Sequence, residues 1–374
     1  LDQPLVMDMY DPFVLENLPG RAHRSTAARL RHHAADVAAL AAQLDAGDLF
    51  LCASEEQRDL WLGALAARGR VNPTTYAQDP SLRALIDVVP FGLPAKPPEE
   101  SEGPVLKGAV DGIGPRDRVV LWGGGIWNWF DPLTLIRAVG RLADAEGRLR
   151  LFFLGTRSPN PNVPPAPMVA SARDLARELG LLGTVVHFNE GWVPYAARGA
   201  YLSEADIGAS CHLPYVEARF AYRTRLLDYI WAGLPMLVTA GDALADLVDR
   251  RGLGETVPPQ DVAATAAALG RLLATLDDRA ARTEMAARFE AVRPGLTWDR
   301  AVTPLVRFLS APRRAADGPP GRRTKGAGIS AAPGAAPTPW RNLPGRAREV
   351  LGEGGPLMLL EEAARYLRWL RRPR

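Results

Sequence analysis

The first loop of this sequence that could do chemistry is rich in glycine. Three consecutive glycines, Gly123, Gly124 and Gly125, follow the apolar, strand-like run Arg118–Trp122. Glycines at such a place let backbone amides approach an anion closely. The loop is neither G-x-G-x-x-G nor a P-loop, because no Gly-Lys-Ser/Thr follows. It therefore predicts either an anion site or a tight strand-to-helix turn in which Asp131 only caps the next helix.

A second loop leads into a helix with two arginines in its first turn. A strand-like run ends near His212, a polar stretch with Glu217 follows, and the helix begins close to Arg223, with Arg225 two residues on. Cations at a helix N-terminus oppose the helix dipole unless an anion offsets them. This arrangement predicts a bound phosphate.

Asp228 lies on the same helix, which is otherwise apolar. A carboxylate among apolar side chains must be paired, or must accept hydrogen bonds from ligand hydroxyls. The alternative to a ligand role is a salt bridge to Arg225, three residues earlier, with both arginines in solvent.

The histidines give a weaker signal. His212 at its strand end either faces a cleft or packs as a hydrogen-bonded core residue, whereas the polar, Arg-rich surroundings of His23, His32 and His33 favour surface positions. No Cys/His group has the spacing of a zinc site, and no Asp-x-Asp pair suggests a catalytic metal.

Strand and helix patterns alternate along the chain, which predicts an α/β fold with doubly wound parallel sheets. The first strands are expected at 4–9, 49–52 and 86–90, with helices at 25–44 and 54–68. Later strands are expected at 118–122, 149–154, 185–188, 206–212 and 236–239. Helices are expected at 132–145, 171–179, 195–204, 223–232, 243–250, 262–276, 279–292 and 298–309.

These patterns divide the chain into five parts. We expect an N-terminal Rossmann-like domain at 1–93, a linker at 94–108, a second Rossmann-like domain at 109–310, a disordered Pro/Gly/Arg linker at 311–347 and a basic helix at 348–374. The chain opens on Leu1 with a strand already under way, so we interpret the first domain as incomplete.

Composition excludes several classes of protein. The hydrophobic fraction of 47% and charged fraction of 23% are ordinary for a globular protein. Residues 311–374 hold 13 Lys/Arg and 5 Asp/Glu, a net charge of +8. Because the whole chain has a formal net charge of +3, residues 1–310 have a net charge of −5, which argues against nucleic-acid binding by this part of the chain. The two cysteines lie in apolar runs and suggest buried thiols in a reducing cytosol.

The C-terminal segment offers a separate interpretation. Its apolar residues at 359, 363, 366, 367 and 370 share one helical face, and its arginines at 365, 368 and 372 share another. That pattern is typical of a helix lying in a membrane interface, at the inner face of an anionic membrane. The alternative is a helix that packs on the protein's own surface.

Together these segments resemble the C-terminal, donor-binding domain of GT-B glycosyltransferases, particularly the large retaining family four. The resemblance rests on residues 205–208, the Glu217 loop, the Asp228 helix and residues 232–235, with the glycine loop, 131–138, 191–194 and 298–300 also fitting. It covers about residues 85–310, and 7–70 resembles the last units of the family's N-terminal domain. It implies a GT-B fold of two Rossmann-like domains facing a cleft.

The resemblance also implies roles for single residues. The glycines at 123–125 would lie against a diphosphate, and Trp192 and Val193 near the base. Asp228 replaces the family's usual glutamate that holds the ribose hydroxyls. The family's diphosphate-neutralising arginine and lysine align near Gly123 and Asn128, so we hypothesise that Arg223 and Arg225 supply that charge, without a metal.

Two further positions depart from the family. Its other motif glutamate aligns with Phe220, and Glu217 is the nearest substitute for a catalytic role over the donor sugar. The alternative is a loop glutamate paired with Arg219. The family's acceptor-site histidine would lie upstream of Leu1.

The implied function is transfer of a sugar from a nucleoside diphosphate sugar to a glycan, lipid-linked or secondary-metabolite acceptor, with retention and no cofactor beyond the donor. Alternatives are a GT-B epimerase that cleaves the same bond without an acceptor, and a truncated, inactive nucleotide-sugar-binding scaffold. A dinucleotide oxidoreductase is disfavoured, because the fingerprint is missing and no acidic residue ends the second strand.

Overall fold

In a computed structural model, the chain forms two α/β domains, each built on a parallel sheet. The structure describes residues 3–21, 24–99, 101–157, 160 and 165–318. The α/β prediction is therefore confirmed. Within the residues described, none of the helices combines the length and the apolar character needed to span a bilayer.

The first domain has three strands in the order β1-β2-β3, all parallel. Its elements are β1 (Val6–Asp8), α1 (Phe13–Gly20), α2 (Thr26–Ala46), β2 (Leu49–Cys52), α3 (Glu55–Ala67), α4 (Pro73–Gln78) and β3 (Ile86–Val88). All four residues of β2 are buried, and Phe50 packs with Trp61 and Ile86 in the core of this domain.

The second domain has six parallel strands. Its elements are β4 (Arg118–Trp122), α5 (Pro132–Ala143), β5 (Leu149–Phe153), α6 (Pro167–Glu178), β6 (Val186–Phe188), α7 (Arg198–Glu204), β7 (Ile207–Ser210), α8 (Thr224–Ala232), β8 (Met236–Thr239), α9 (Ala243–Arg251), β9 (Gly254–Val257), α10 (Val262–Asp277), α11 (Arg279–Val292), α12 (Trp298–Ala301) and α13 (Thr303–Ser310). The strand order is β6-β5-β4-β7-β8-β9, a doubly wound arrangement.

Three elements were not expected from the sequence. Strand β9 reads Gly-Glu-Thr-Val and lies at the sheet edge, where its first three residues are only half-buried, so it lacks the apolar run of a central strand. Helices α1 and α4 have eight and six residues, and α1 contains Pro19, so neither shows a sustained helical period. Helix α6 also begins at Pro167, four residues before the expected start.

The end of the second domain returns to the first, which corrects two expected boundaries. Phe308 and Leu305 of α13 pack against Leu49 and Leu51 of β2 rather than on the second sheet. Residues 311–318, expected to begin the linker, contact the same domain through Ala315, which is 8% exposed in its core, and Asp317, whereas most of the segment is exposed. The rest of that linker and the basic helix at 348–374 lie outside the described residues.

A buried ion pair fastens this returning segment. Arg70 Nε lies 2.7 Å from Asp317 Oδ2, and both side chains are buried. Arg70 also donates to the carbonyl oxygens of Leu44 and Gly47. Its guanidinium therefore joins α2, the turn before β2 and the returning chain.

Replacing Arg70 tests the returning segment. Arg70→Met should lower the free energy of unfolding by about 3–5 kcal/mol, because Asp317 would remain as a buried, unpaired carboxylate. Urea denaturation followed by circular dichroism measures this. Arg68→Met is the matched control, since Arg68 pairs with Asp45 in solvent, and no measurable change is expected there. Equal stability of the two variants would show that residues 311–318 do not pack as described.

Candidate functional site

A cavity lies between the two domains, at the point where the strand order of the second sheet reverses direction. Strands β4 and β7 are neighbours, and the connections that follow them run to opposite sides, so their carboxyl ends open a crevice. The cavity occupies it and has a volume of about 390 Å³. Eight residues singled out in the sequence line this cavity: Gly123, Gly124, Gly125, His212, Glu217, Arg223, Arg225 and Asp228.

The glycine loop is shaped by Tyr229, a fully buried side chain of α8. Its hydroxyl accepts a hydrogen bond from the Gly123 N–H at 2.8 Å and lies 3.0 and 2.9 Å from the carbonyl oxygens of Leu121 and Ala209. A Cβ on Gly123 would stand 2.9 Å from the tyrosine ring, and one on Gly208 would stand 2.6 Å from it. The glycines therefore make room for a tyrosine that ties α8 to β4 and β7.

Arg225 rests its guanidinium on two aromatic rings, with Cζ 4.6 Å from the centroids of both Trp122 and Phe130. Its Nη2 donates to the Gly125 carbonyl oxygen at 2.7 Å, but its buried Nε and Nη1 have no hydrogen-bond partner among the described residues. Burial lowers the pKa of Arg225 to about 10, and the Arg223 cation adds to this. A buried guanidinium with unused donors is costly until an acceptor arrives.

Arg223, in contrast, already has anionic partners. Its Nε lies 3.4 Å from Asp242 Oδ2 and its Nη1 lies 3.9 Å from Glu217 Oε1, with all three side chains buried. Burial raises the pKa of both carboxyl groups, and Arg223 opposes that shift. Arg225 differs from Arg223 in having no ion-pair partner, and the hypothesis that both arginines supply charge to a diphosphate stays a prediction. Glu217 pairs with Arg223 and not with Arg219.

Asp228 pairs with an arginine of another helix. Arg198 Nε lies 3.0 Å from Asp228 Oδ1, and the Arg198 guanidinium stacks 3.3 Å from the Tyr195 ring centroid and 4.8 Å from that of Trp231. Burial raises the pKa of Asp228, and Arg198 opposes the shift. The alternative of a salt bridge to Arg225 on the same helix is therefore wrong.

His212 follows β7 and is 3% exposed. Its backbone N–H donates to Thr239 Oγ1 at 3.1 Å, its Nε2 lies 3.5 Å from Ser210 Oγ, and its ring meets Phe130 edge-on. Its Nδ1 has no hydrogen-bond partner in the described part of the chain. Burial, followed by the charges of Arg223 and Arg225, lowers the pKa of His212 well below its usual value. The ring is thus packed and also lines the cavity.

The first domain closes the cavity with Tyr10, Asp11, Pro12 and Glu16. It also holds the loop before α8: the Tyr10 hydroxyl donates to the Tyr222 carbonyl oxygen at 2.9 Å, and Gln57 Nε2 donates to that of Phe220 at 2.7 Å. Burial raises the pKa of Glu16 to about 8, with a hydrogen bond to Asp11 adding to the shift. No motif in the sequence connected these residues to the second loop, because they are about 200 residues apart.

Three expected donor-binding residues lie outside the cavity lining. Asn128 turns towards α6, where its Oδ1 accepts from the Met168 N–H at 3.2 Å. Trp192 is 53% exposed, and Val193 packs on the second core. Their placement near the base stays a prediction.

The remaining histidines of the N-terminal part lie elsewhere. His32 and His33 are on α2, away from the cavity, and His23 is outside the described residues.

Two tryptophans line the cavity, although the sequence pattern predicted no role for either of them. Trp127 and Trp129 stack with centroids 5.8 Å apart and ring planes 14° apart. The Trp-x-Trp pattern beside the glycine loop was the available signal. For Tyr229 and Arg198 no sequence signal existed, because their partners come from other elements. In the described ranges, no group of three or more His, Cys, Asp or Glu side chains is arranged to hold a metal ion.

Comparison with known proteins relates the fold to solved structures. No protein-family model and no curated protein matches the sequence. The UDP-forming α,α-trehalose-phosphate synthase from Burkholderia xenovorans superposes with a TM-score of 0.58 at 14% identity, over 83% of this chain and 69% of its own. Sucrose-phosphate synthase from Thermosynechococcus elongatus gives 0.54 at 17% identity, over 82% of this chain and 67% of its own.

A third solved structure is HepE from Anabaena in complex with UDP and glucose, with a TM-score of 0.52 at 14% identity, over 82% of this chain and 72% of its own. At such identities the likeness concerns the fold alone. The chain has the GT-B fold, in which two Rossmann-like domains face a cleft.

The pKa of Glu16 predicts how stability depends on pH. Because the folded-state pKa is raised to about 8 from an ordinary 4.5, the folded protein holds a proton that the unfolded chain releases between these values. The free energy of unfolding should therefore fall as pH rises from 5 to 9. Glu16→Gln should weaken this decline, as measured by urea midpoints at pH 5, 7 and 9. The exposed Glu178→Gln serves as control and should follow the wild-type curve. A Glu16→Gln curve parallel to wild type would contradict the burial of Glu16.

Proposed function

We propose that this chain is a glycosyltransferase that takes a sugar from a nucleoside diphosphate sugar, with UDP as the first nucleotide to test. The observation that carries the proposal is Arg225, a buried cation with two unused donors in the interdomain cavity. A diphosphate has the charge and the acceptor oxygens that this guanidinium lacks. UDP is chosen because HepE was solved with UDP and glucose, and the trehalose-phosphate synthase is described as UDP-forming.

Other groups in the cavity favour the same ligand. The glycine loop brings backbone close to Arg225, since a Cβ on Gly124 would stand 3.2 Å from its Nη2. The nine-residue helix α8 points its N-terminus at the cavity, as its first residues Thr224 and Arg225 both line it. Helix dipole, backbone amides and a guanidinium all attract phosphate oxygens.

The nucleoside end fits Asp228. An ionised carboxylate has about four lone-pair sites, so Asp228 can stay paired with Arg198 through Oδ1 and still accept hydroxyl hydrogen bonds. Arg198 opposes the rise in pKa that burial imposes on Asp228 and so favours the charged carboxylate, the form that accepts hydrogen bonds from ribose hydroxyls. Trp192 and Val193 would then have to approach the base from the rim, outside the cavity lining.

The proposed reaction breaks the bond between the sugar C1 and the diphosphate oxygen and forms a bond from C1 to an acceptor hydroxyl oxygen, whose proton leaves with the nucleoside diphosphate. The electron pair goes to the diphosphate, and Arg225 stabilises the charge that develops there without a metal, because it is already oriented in a site of low dielectric. Glu217 is proposed to contact the donor sugar while it holds Arg223. The proposed retention of configuration and the glycan, lipid-linked or secondary-metabolite acceptor rest on the family resemblance.

Substituting the two arginines separately should distinguish binding from stability. Arg225→Met should weaken UDP binding about 10–100-fold, the equivalent of losing a charged hydrogen bond, while the free energy of unfolding changes by less than about 1 kcal/mol because no ion pair is broken. Arg223→Met should lower that free energy by about 3–5 kcal/mol, because Glu217 and Asp242 lose their counter-ion. Calorimetric titration and urea denaturation give the two quantities. Unchanged UDP affinity in Arg225→Met would contradict the proposed phosphate site.

A donor screen tests the function itself. Thermal shifts with UDP, GDP, ADP and dTDP sugars should reveal stabilisation by one nucleotide class, by RT ln(1 + [L]/Kd). Product analysis with that donor and a panel of acceptors should then show a glycoside. Conversion of the donor to an epimer in the absence of an acceptor would favour the epimerase alternative. Donor binding without turnover under every condition would favour the inactive scaffold alternative.

A further inference from the structure

Unsatisfied polar atoms single out one more residue of the cavity. In the described part of the chain, four buried side-chain nitrogens lack a hydrogen-bond partner, and three of them belong to Arg225 and His212. Both residues line the interdomain cavity. The fourth is Nε2 of His187 on β6, which does not line it. Since buried polar groups are normally paired, their concentration at one cavity indicates an absent polar partner.

The proton of the neutral His212 ring can reside on either nitrogen. Ser210 Oγ lies 3.5 Å from Nε2, where its hydroxyl can donate to the ring or accept from it. With Nε2 as the acceptor, the proton of the neutral ring resides on Nδ1. Nδ1–H is then a spare donor.

The charges around His212 keep its ring neutral. Burial lowers its pKa, and the charges of Arg223, just before α8, and Arg225, on α8, add to this. The titratable neighbours on its own segment and on the loop before α5 are Cys211 and Asp131, and β8 contributes only the neutral Thr239. A neutral imidazole adds a directional donor without adding a third positive charge beside two arginines. Enzymes use such neutral histidines to polarise oxygen atoms.

We infer that His212 is a phosphate-binding residue that donates a hydrogen bond from Nδ1–H to the diphosphate. The inference rests on the proposed function and adds a residue to it: Arg225 supplies charge, and His212 supplies a directional bond from β7. Because Phe130 contacts both side chains, at 4.6 Å from Arg225 Cζ and 5.0 Å from the His212 ring centroid, the two donors are held on the same aromatic ring.

Two variants and a matched control test this role by calorimetry, with UDP and uridine as ligands. His212→Leu removes the donor and should weaken UDP binding about 10–100-fold, whereas His212→Asn, whose amide can donate from a similar place, should stay within about threefold of wild type. His187→Leu removes the other unpartnered histidine and should leave UDP affinity unchanged. Uridine affinity should be the same in all four proteins, because only the diphosphate contacts His212.

A second measurement does not depend on the folding of His212→Leu. In NMR spectra of protein labelled with ¹⁵N-histidine, the ring signals of His212 are assigned as those that are present in wild type and absent in His212→Asn. Saturation with UDP should shift the Nδ1 signal and leave the ring in its neutral form, and uridine should not shift it.

The outcomes separate the inference from the proposed function. If wild-type protein binds none of the nucleoside diphosphates, both are overturned. If it binds UDP but His212→Leu binds equally well, or the His212 signals do not move on saturation, the inference alone is overturned. A protonated His212 in the UDP complex would also overturn the neutral-donor role.

Discussion

The whole site depends on a guanidinium buried without a counter-ion. Arg225 rests on the rings of Trp122 and Phe130 and uses one donor on a backbone carbonyl, so its charge is only partly compensated. Aromatic faces attract cations, but by less than an ion pair in the same place would. The nearby carboxylates of Glu217 and Asp242 are engaged by Arg223. This division of partners leaves Arg225 without an ion pair of its own, although carboxyl groups, among them Asp228 on the same helix, also line the cavity.

Tyr229 connects that guanidinium to the sheet. Its hydroxyl binds the backbone at the ends of both β4 and β7, so the helix that bears Arg225 and Asp228 cannot shift independently of the strands. From the other side, Gln57 and Tyr10 hold the backbone of the preceding loop. The position of α8 is therefore determined by both domains, and so is the geometry of the site.

The sequence predicted the architecture well because alternating apolar runs and amphipathic helices report directly on a parallel sheet. It also directed attention to Arg225, Asp228 and the glycines, because a cation in a first helical turn and a carboxylate among leucines conflict with local preferences. It did not predict pairings across the fold. Arg198 lies 30 residues from Asp228, and Tyr10 lies 212 residues from Tyr222, whose carbonyl oxygen it binds, so no periodicity relates them. The sequence did not predict strand β9, because a strand at the edge of a sheet does not require an apolar run.

The first domain is discontinuous in sequence, and this has a consequence for dissecting the molecule. The chain leaves that domain after β3 and re-enters it with α13, and Leu93 and Thr297 form a bridge where the two passages run side by side. A single break in the chain therefore cannot separate the two domains with both of them complete. A fragment ending before Thr303 would expose Leu49 and Leu51. A fragment of the second domain should begin beyond Leu93 and stop near Ala301. Separating the halves requires two breaks, made at adjacent points in space.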